Sequence, residues 1–426
     1  MIISASLPRS IPYIVGVVGH RDLHHDSTDA VRETVRHWFK EFKKSFPFVD
    51  LVIASGLAEG ADQLVAEVAL DEGIELWAVL PTAAAEYEKD FTDPNILENF
   101  RRLLGLSTKV INSSLLAGVG EVCSSRPMIY KYLGDQLCGL SHSLLAVWDG
   151  IENQLVGGTS EVVASSAQGK YLGAAVDSLS NPCHGDVLHI KASRNGSGCQ
   201  NVSSTWIHGN TFGGAIQLSR DPSFLPREIV DSLTLLNNYF SRVNVASSQE
   251  NCPTYLLPDG FNWSSDLFLG RLAQWFVMAE SISGQFVKMH QRALMLVVVC
   301  FLGFSLLALA YGGLIDHPWA LLAGATLAAL AYWVSIAKRQ KIIESTFIFT
   351  RGMAELLRVA IVWRASGVSG KMSPVVAAAD LSCNDPLAIV AKSIDAVSIV
   401  AEKNQNTKSL SDVLNHWVES RSEEHT

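Results

Sequence analysis

The chain has 426 residues, a net charge of −9 at pH 7 and a pI near 5.7. That length allows two or three domains, and the acidic balance argues against direct nucleic-acid binding through a broad basic surface. Seven cysteines lack the paired spacing of a zinc site or a disulfide framework, and Met1 to Ser10 show no secretory signal, so we expect the N-terminal domain to lie in a reducing cytosol.

Strand and helix patterns alternate through the first part of the chain. Apolar runs predict strands over 11–19, from residue 51, and over 75–80, 108–112 and 143–148. Apolar residues at helical spacing follow the first strand, from Val31 to Phe42, and the second, from Leu64 to Ala69. Buried strands that alternate with helices predict an α/β fold with a parallel sheet covered on both faces.

Two glycine-rich turns lie between a predicted strand and a predicted helix. The first is Ser55-Gly-Leu-Ala-Glu-Gly-Ala-Asp62, and the second is Gly157-Gly-Thr-Ser-Glu161. Glycines let a ligand approach the backbone, and the unpaired amides and dipole of a helix start favour an anion. Either turn alone could serve packing only, but the pair favours phosphate binding.

Unusual residues follow the carboxyl ends of several predicted strands, where ligands bind in parallel sheets. They are Gly19-His20-Arg21, Ser55-Gly56, Pro81 and Trp148-Asp149-Gly150. The alternatives are that His20 and Arg21 cap the strand and pair with Asp22 or another carboxylate, and that Trp148 only packs. We predict no metal site, because His24-His25 and Cys183-His184 with His189 lack a recognised ligand spacing.

These motifs together resemble the SLOG superfamily, the Rossmann-like group that includes the DNA-processing and lonely-guy nucleotide-binding proteins. The resemblance covers about residues 11–190 and rests on VGVVGHRDL, SGLAEGADQLVAEVAL, AVLP with Tyr87 and Asp90, LLAVWDG and GGTSEVV. It implies a Rossmann-like domain that binds a nucleotide or nucleotide-derived second messenger, with no further cofactor. The expected ligand-binding residues are Gly19, His20, Arg21, Ser55, Gly56, Glu59, Gly60, Asp62, Pro81, Asp149, Gly157, Gly158, Thr159 and Glu161.

One residue departs from the pattern of the superfamily's phosphoribohydrolases. Their glycine motif carries a Glu three residues after the Thr, whereas Glu161 follows Thr159 by two. On a helix this difference turns the side chain by about 100°. Binding is therefore favoured over catalysis, and N-glycosidic cleavage of a nucleotide or NAD, with Glu161, Glu59 or Arg21 involved, is the alternative. A protein-interaction module that has lost its ligand is a third interpretation.

The pattern weakens after residue 171. Clusters of Ser, Asn and Gly predict an irregular insertion or linker over 191–262, with one helix at 226–240. A stronger helix begins near Asp266, and residues 263–292 are interpreted as a pre-membrane helix.

Two apolar stretches, 293–315 and 319–337, are separated by Asp316-His317-Pro318. Each has about the 20 residues needed to cross a bilayer, so we predict a two-span transmembrane hairpin over 293–337. Basic residues flank the hairpin but are absent from its turn, which puts both termini in the cytoplasm and the hairpin in the inner membrane. Small residues, Gly303 and Gly324 among them, would allow close helix packing. No charge lies in either span, so the hairpin is expected to anchor the chain or to build a pore as a homo-oligomer.

Residues 338–426 are predicted to be cytosolic and helical. The helix at 345–366 is expected to dock on the pre-membrane helix and to pair Arg351, Glu355 and Arg358 along its face. Its segment 351–364 resembles the cytosolic helix that follows the hairpin in prokaryotic two-span effectors with SLOG sensor domains. The resemblance implies a membrane-anchored sensor-effector of antiphage defence.

Overall fold

A computed structural model gives the fold, and it describes residues 10–113, 125–152, 155–170, 184–196, 201–212, 215–221, 223–246, 254–257, 263, 266–311, 319–336, 338–368, 371–372, 381–401, 413 and 415–416. The chain divides into two compact units. The first contains Met1–Ser247 and Ser369–Lys403, and the second contains Ser248–Val368 and Asn404–Thr426.

The first unit is built on an eight-stranded sheet with the order β4-β3-β2-β1-β5-β6-β7-β8. The first six strands in chain order are mutually parallel, and β7 and β8 are antiparallel. The strands are β1 (Tyr13–Gly19), β2 (Leu51–Ser55), β3 (Glu75–Leu80), β4 (Lys109–Asn112), β5 (Ser143–Trp148), β6 (Asp186–Lys191), β7 (Ser203–Phe212) and β8 (Ala215–Asp221). The α/β fold and the five predicted strands are confirmed.

Helices connect the strands and pack against the sheet. They are α1 (His25–Ser45), α2 (Ala61–Asp71), α3 (Ala84–Tyr87), α4 (Pro94–Leu106), α5 (Arg126–Leu140), α6 (Thr159–Gln168) and α7 (Arg227–Ala246). A 3₁₀ turn at Glu88–Asp90 extends α3. Helix α1 shows why the apolar spacing predicts helices, because Val31, Val35, Trp38, Phe39 and Phe42 all lie on its buried face.

The sheet extends into the region interpreted as an irregular insertion over 191–262. Strands β7 and β8 lie there, and α7 confirms the helix predicted at 226–240. The strands were missed because Ser, Thr, Gly and Asn interrupt any apolar alternation in Ser203–Phe212. Trp206 and Ile207 nevertheless give β7 a buried centre.

The sequence predicts a separate C-terminal region over 338–426, but Ser369–Lys403 belongs to the first unit. Helix α11 (Pro386–Val400) docks beside the amino ends of β1 and β5 through the buried His142. His142 Nδ1 accepts a hydrogen bond from the Ile14 amide at 2.9 Å, and its Nε2 lies 3.0 Å from the Ile389 carbonyl. Just before α11, Cys383 is disulfide-bonded, in contrast to the expected reduced thiols.

The second unit is helical, with α8 (Leu267–Tyr311), α9 (Trp319–Ile336) and α10 (Lys338–Ala365). Asp266 begins α8, because its Oδ1 accepts hydrogen bonds from the amides of Phe268 and Leu269. Its Oδ2 accepts a hydrogen bond from Arg364 Nε at 2.6 Å. The predicted docking of the helix at 345–366 on the pre-membrane helix is therefore confirmed, and so is the Arg351–Glu355 pair at 2.9 Å.

Helix α8 combines the predicted pre-membrane helix with most of the first predicted span. It is long and apolar enough to cross a membrane, and only 6% of its most apolar 18-residue stretch is buried. Helix α9 has 18 residues with a shorter apolar core at Leu322–Trp333. The turn at 316–318 and the helix at 409–418, except for residues 413, 415 and 416, lie outside the described residues. Among the described helices only α8 is long and apolar enough to cross a membrane, so the second span stays a prediction.

Candidate functional site

The strand order creates a switch point between β1 and β5. The chain moves from β1 through β2 and β3 to β4 on one side, and it then returns to place β5 on the other side of β1. Loops after β1 and β5 must diverge at such a point, and ligands of α/β sheets bind in the resulting crevice. The parallel register brings the residues that follow Gly19, Ser55, Leu80 and Trp148 to one edge of the sheet.

The first glycine turn, Ser55 to Asp62, is a packed turn whose amides are largely engaged. The Leu57 amide donates to Ser55 Oγ at 3.1 Å, and the Ala61 amide donates to the His20 carbonyl at 3.0 Å. Gly60 has a φ of +83°, and a Cβ there would lie 2.4 Å from the Arg21 carbonyl oxygen. Glycine is required because the turn lies directly against the backbone that follows β1.

The second glycine turn lies at the start of α6. Gly157 has a φ of +74° and lies against the backbone of Pro127 and Lys131 in α5. Gly158 is the N-cap of α6 and has no side chain with which to cap the helix, and its own amide donates to the Leu155 carbonyl at 3.0 Å. An uncapped helix N-terminus presents amide donors and a favourable dipole to an anion. The Gly157 and Gly158 amides are both engaged, so what the second turn offers an anion is the dipole of α6 and the amides that follow Gly158.

Glu161 closes the second turn instead of facing the crevice as a free carboxylate. Its Oε1 lies 2.9 Å from Lys131 Nζ, and its Oε2 accepts a hydrogen bond from the Gly157 amide at 2.6 Å. Burial alone would raise the pKa of Glu161, but these two interactions outweigh it and lower the pKa. Both oxygens are therefore occupied within the protein.

Helix α5 crosses the edge of the sheet and connects the loops. The Arg21 guanidinium carbon lies over the Tyr130 ring, 4.9 Å from its centroid. Tyr130 Oη donates a hydrogen bond to Asp90, and Arg126 Nη2 donates to the other oxygen of Asp90 at 2.6 Å. Sequence reasoning had not singled out Arg126 or Tyr130, because nothing in RPMIYKYLGDQL forms a recognisable motif.

His20 and Asp149 link the ends of β1 and β5. His20 Nε2 lies 3.2 Å from both the amide and Oδ1 of Asp149, so His20 makes the contact with a neighbouring carboxylate that was the alternative to its role in ligand binding. Asp149 Oδ1 also accepts a hydrogen bond from the Ile151 amide, across a turn at Gly150 with φ +80°. Burial would raise the pKa of Asp149, but the Ile151 amide and His20 lower it below its usual value.

Asp62 and Tyr87 are the buried polar members of the cluster. Burial raises the pKa of Asp62 to about 7, against the opposing effects of the Ala58 amide and the Arg21 charge. The Tyr87 ring packs against Phe91 and Phe100, and its hydroxyl has no hydrogen-bond partner among the described residues. Asp62 acts electrostatically on the Tyr87 hydroxyl, as do Arg21 and Tyr130.

Glu59 lies in an open cleft of about 380 Å³ beside this cluster, together with Arg21 and Gly60. The polar groups farther along the cleft are paired with each other. Arg32 Nη2 lies 2.8 Å from Glu67 Oε2, and Asn99 donates to Gln63 Oε1 at 2.8 Å. The carbonyl oxygen of Pro81, after β3, accepts a hydrogen bond from Ser113 Oγ at 3.3 Å.

The histidines after β1 have a structural role at the start of α1. His24 is the N-cap and accepts a hydrogen bond from the Asp26 amide, and His25 Nε2 lies 2.9 Å from Asp26 Oδ1. These three residues could bring ligand atoms within 4.8 Å of one another, but His25 and Asp26 are exposed. His189 Nε2 contacts the Trp148 carbonyl at 3.1 Å, and Cys183 lies outside the described residues.

The chain matches no protein-family model and no curated protein. The strand order and the helices that connect the strands define an α/β protein with a Rossmann-like, mostly parallel sheet. A helical unit with one possible membrane-spanning helix follows the sheet.

Proposed function

We propose that this protein is a membrane-anchored sensor whose α/β unit binds a small nucleotide-derived anion at the crevice between β1 and β5. The position of Tyr130 carries the proposal. The Arg21 guanidinium lies over its ring, and Gly157, in the turn that leads into α6, packs against its Cβ. A cation, a helix N-terminus and an aromatic ring suit the phosphate and base of a nucleotide.

The second half of the proposal concerns the membrane. Beyond Ala293, α8 exposes large apolar side chains over about 28 Å of helix, close to the thickness of a bilayer core. Helix α9 packs on this part of α8 and also exposes Trp319, Tyr332 and Trp333, residue types that favour membrane interfaces. We propose a two-span hairpin with cytoplasmic termini in the inner membrane, which oligomerises and perturbs the bilayer when the ligand binds, as in antiphage defence.

Such a switch requires the ligand to bind the clustered state more tightly than the dispersed state, since equal affinity shifts no equilibrium. The site and the membrane effect can therefore be tested together. The purified full chain in detergent would be titrated by calorimetry with cyclic nucleotides, adenosine 5′-monophosphate and ADP-ribose derivatives, and then reconstituted into dye-loaded vesicles. We expect one of these compounds to bind and to release dye.

The decisive variant is Gly158→Asp. Gly158 has φ −79° and ψ 162°, which an N-cap aspartate adopts readily, so the variant should stabilise α6 slightly, by about 0.3 kcal/mol. Its carboxylate would occupy the amides that the ligand anion needs, and binding should be lost from a more stable protein. Gly73→Asp, in open space after α2, is the control for added charge. Absence of binding across the panel, or unchanged binding by Gly158→Asp, would contradict the proposal.

One observation favours a second function, cleavage of an N-glycosidic bond. A buried carboxylate with a pKa of about 7, as at Asp62, suits general acid–base chemistry, whereas Glu161 is fully paired. Incubation with NAD and nucleoside monophosphates, followed by product chromatography, tests this function. Turnover that Asp62→Asn abolishes would favour the enzyme over the sensor.

A further inference from the structure

The segment Ser369–Lys403 connects the two units of the chain. The chain leaves the helical unit after Val368, contributes this segment to the α/β unit and returns to the helical unit at Asn404. We call the segment the strap, and it contains α11 (Pro386–Val400). Because both ends of the strap continue into the helical unit, a change in the docking of α11 also acts on the chain that leads to the membrane helices.

Helix α11 is docked on the α/β unit through an apolar face. Asp385 fixes the start of the helix, because its Oδ1 accepts a hydrogen bond from the Leu387 amide at 2.8 Å. The helix lies against α5, α7 and β1, and the burial of apolar side chains stabilises this position. The side chains at the centre of this face are Ile389, Val390, Ile394 and Val397, each at most 3% exposed.

The polar contacts of α11 go to the elements that form the crevice. Ser393 Oγ lies 2.8 Å from the carbonyl oxygen of Pro12, just before β1, and 3.2 Å from Nε2 of His142, just before β5. Lys392 Nζ donates to the Cys138 carbonyl in α5 at 3.1 Å. The carboxyl ends of β1 and β5 flank the crevice, and the amino-terminal part of α5 contacts the loop after β1 there. Helix α11 therefore contacts one end of each element whose other end lies at the proposed ligand site.

The strap also holds the chain that continues α10. Asp395 Oδ1, in α11, accepts a hydrogen bond from the Met372 amide at 2.6 Å. Met372 follows Ala365, the last residue of α10, by seven positions. Within the helical unit, Arg364 Nε donates to Asp266, which begins α8, at 2.6 Å. Only a short stretch of chain therefore separates the contacts of α11 from those of the helix that is long enough to cross a membrane.

We propose that the strap couples the ligand crevice to the membrane helices. A ligand that shifts β1, β5 or α5 at the crevice also shifts the surface on which α11 is docked, because packed strands and helices move as rigid elements. The displaced α11 then moves Met372 and the chain that continues α10. Such coupling is reciprocal, so loosening α11 also changes the crevice. This inference rests on the proposed function and adds to it the route from the ligand to the bilayer.

The first test needs no ligand and follows amide hydrogen exchange of the full chain in detergent. Val390→Asp places a charge on the buried face of α11 and should displace the helix, whereas Leu381→Asp adds the same charge at an exposed position of the strap. We expect only Val390→Asp to raise exchange about tenfold in the last turns of α10, which belong to the other unit. Exchange in α2 should stay unchanged, because the sheet remains folded. A reducing agent is present, so that the disulfide of Cys383 does not hold the strap.

The second test removes one contact of the strap and leaves its apolar face intact. Asp395→Ala loses the acceptor for the Met372 amide, whereas Asp395→Asn keeps an oxygen at that position and is the matched control. Both variants should bind the compounds of the nucleotide panel as the wild type does. We expect Asp395→Ala to release dye from vesicles about tenfold more slowly, because the bound ligand no longer acts on the chain that continues α10.

The outcomes separate this inference from the proposed function. Unchanged exchange in α10 of Val390→Asp, or equal dye release by the two Asp395 variants, would overturn the coupling role of the strap and leave the ligand site standing. The signal would then pass through the chain between α7 and α8. If Val390→Asp also raises exchange in α2, the sheet has unfolded and the two Asp395 variants decide. No binding across the nucleotide panel would overturn the proposed function and the coupling that rests on it.

Discussion

The guanidinium of Arg21 lies over the ring of Tyr130, with 4.9 Å between the guanidinium carbon and the ring centroid. This contact joins the loop after β1 to helix α5, which comes more than a hundred residues later in the chain. Tyr130 is fixed in turn by its hydrogen bond to Asp90. The position of Arg21 at the proposed anion site therefore depends on an aromatic ring that no local sequence motif reveals.

The first prediction concerns Tyr130→Leu. We expect the affinity for adenosine 5′-monophosphate to fall by about fivefold, because Arg21 loses a partly buried cation–π contact of about 1 kcal/mol that holds it in position. Calorimetry on the full chain measures the effect. Tyr132→Leu, two residues along the same helix, is the control and should bind as the wild type does. Equal effects of both substitutions would show that Arg21 does not depend on the Tyr130 ring.

The second prediction compares two glycines with positive φ. At Gly60 a Cβ would lie 2.4 Å and 2.5 Å from the carbonyl oxygens of Arg21 and His20, whereas at Gly73 no atom in the described part of the chain lies within 4 Å. Gly73→Ala should therefore cost only the conformational strain of about 1 kcal/mol. Gly60→Ala must also push two backbone segments apart, so we expect it to lower the melting temperature far more. Similar melting temperatures for the two variants would contradict the close approach.

The sequence predicted the parts of the fold that rest on local pattern. Strands such as Ser143–Trp148 are continuous apolar runs, and helix α1 repeats its apolar residues every three or four positions. The place of α11 was not predictable in this way, because it depends on His142 meeting Ile389 across 247 residues of chain. Strand β7 was missed because its partner β6 stabilises a segment with little apolar pattern of its own.

The candidate site shows the same division. Glycines at the turns and the convergence of loops at the edge of the sheet follow from residue type and strand order. The partners of each donor and acceptor do not follow. The Ala61 amide donates to the His20 carbonyl, and the Glu161 carboxylate accepts from Lys131, both across many residues of sequence. Which amides of the two glycine turns are available to an anion is therefore a property of the folded protein.

The third prediction is a pH effect at Asp62. Its folded pKa of about 7 lies above the unfolded value of 3.8, so the folded state binds the proton more tightly. Stability from this group is present below pH 4 and is lost as the pH rises to 7, by at most about 4 kcal/mol at about 1.4 kcal/mol per pKa unit. Asp62→Asn mimics the protonated form, so its melting temperature should exceed that of the wild type more at pH 8 than at pH 5. A constant difference between the two pH values would contradict the raised pKa.

The fourth prediction has the opposite sign and concerns His142. Burial and the nearby Lys392 charge lower the pKa of His142 in the folded protein to about 3, against 6.5 in the unfolded chain. The ring is therefore neutral in the folded state. Stability from this group is present above pH 6.5 and falls by about 1.4 kcal/mol for each pH unit below it. His142→Phe loses the bonds to Ile14 and Ile389 at every pH, so its melting temperature should be lower but less dependent on pH between 7 and 5. His25→Asn, an exposed control, should follow the wild type. An unchanged pH slope in His142→Phe would exclude His142 as the cause.

The fifth prediction tests the contact between α8 and α9. A Cβ at Gly303 would lie 3.0 Å from Leu327 Cδ1, and one at Gly324 would lie 3.2 Å from Phe304 Cδ2, so these glycines let the helices approach closely. A Cβ at Gly284, also in α8, would have no atom of the described residues within 4 Å. Gly284→Leu should raise the melting temperature of the detergent-solubilised chain slightly, because leucine favours a helix by about 0.8 kcal/mol over glycine. Gly303→Leu gains the same helix propensity but separates the two helices, so its melting temperature should fall. A rise in the melting temperature of both variants would mean that the two helices do not pack through Gly303. That result would contradict a hairpin held together by these glycines.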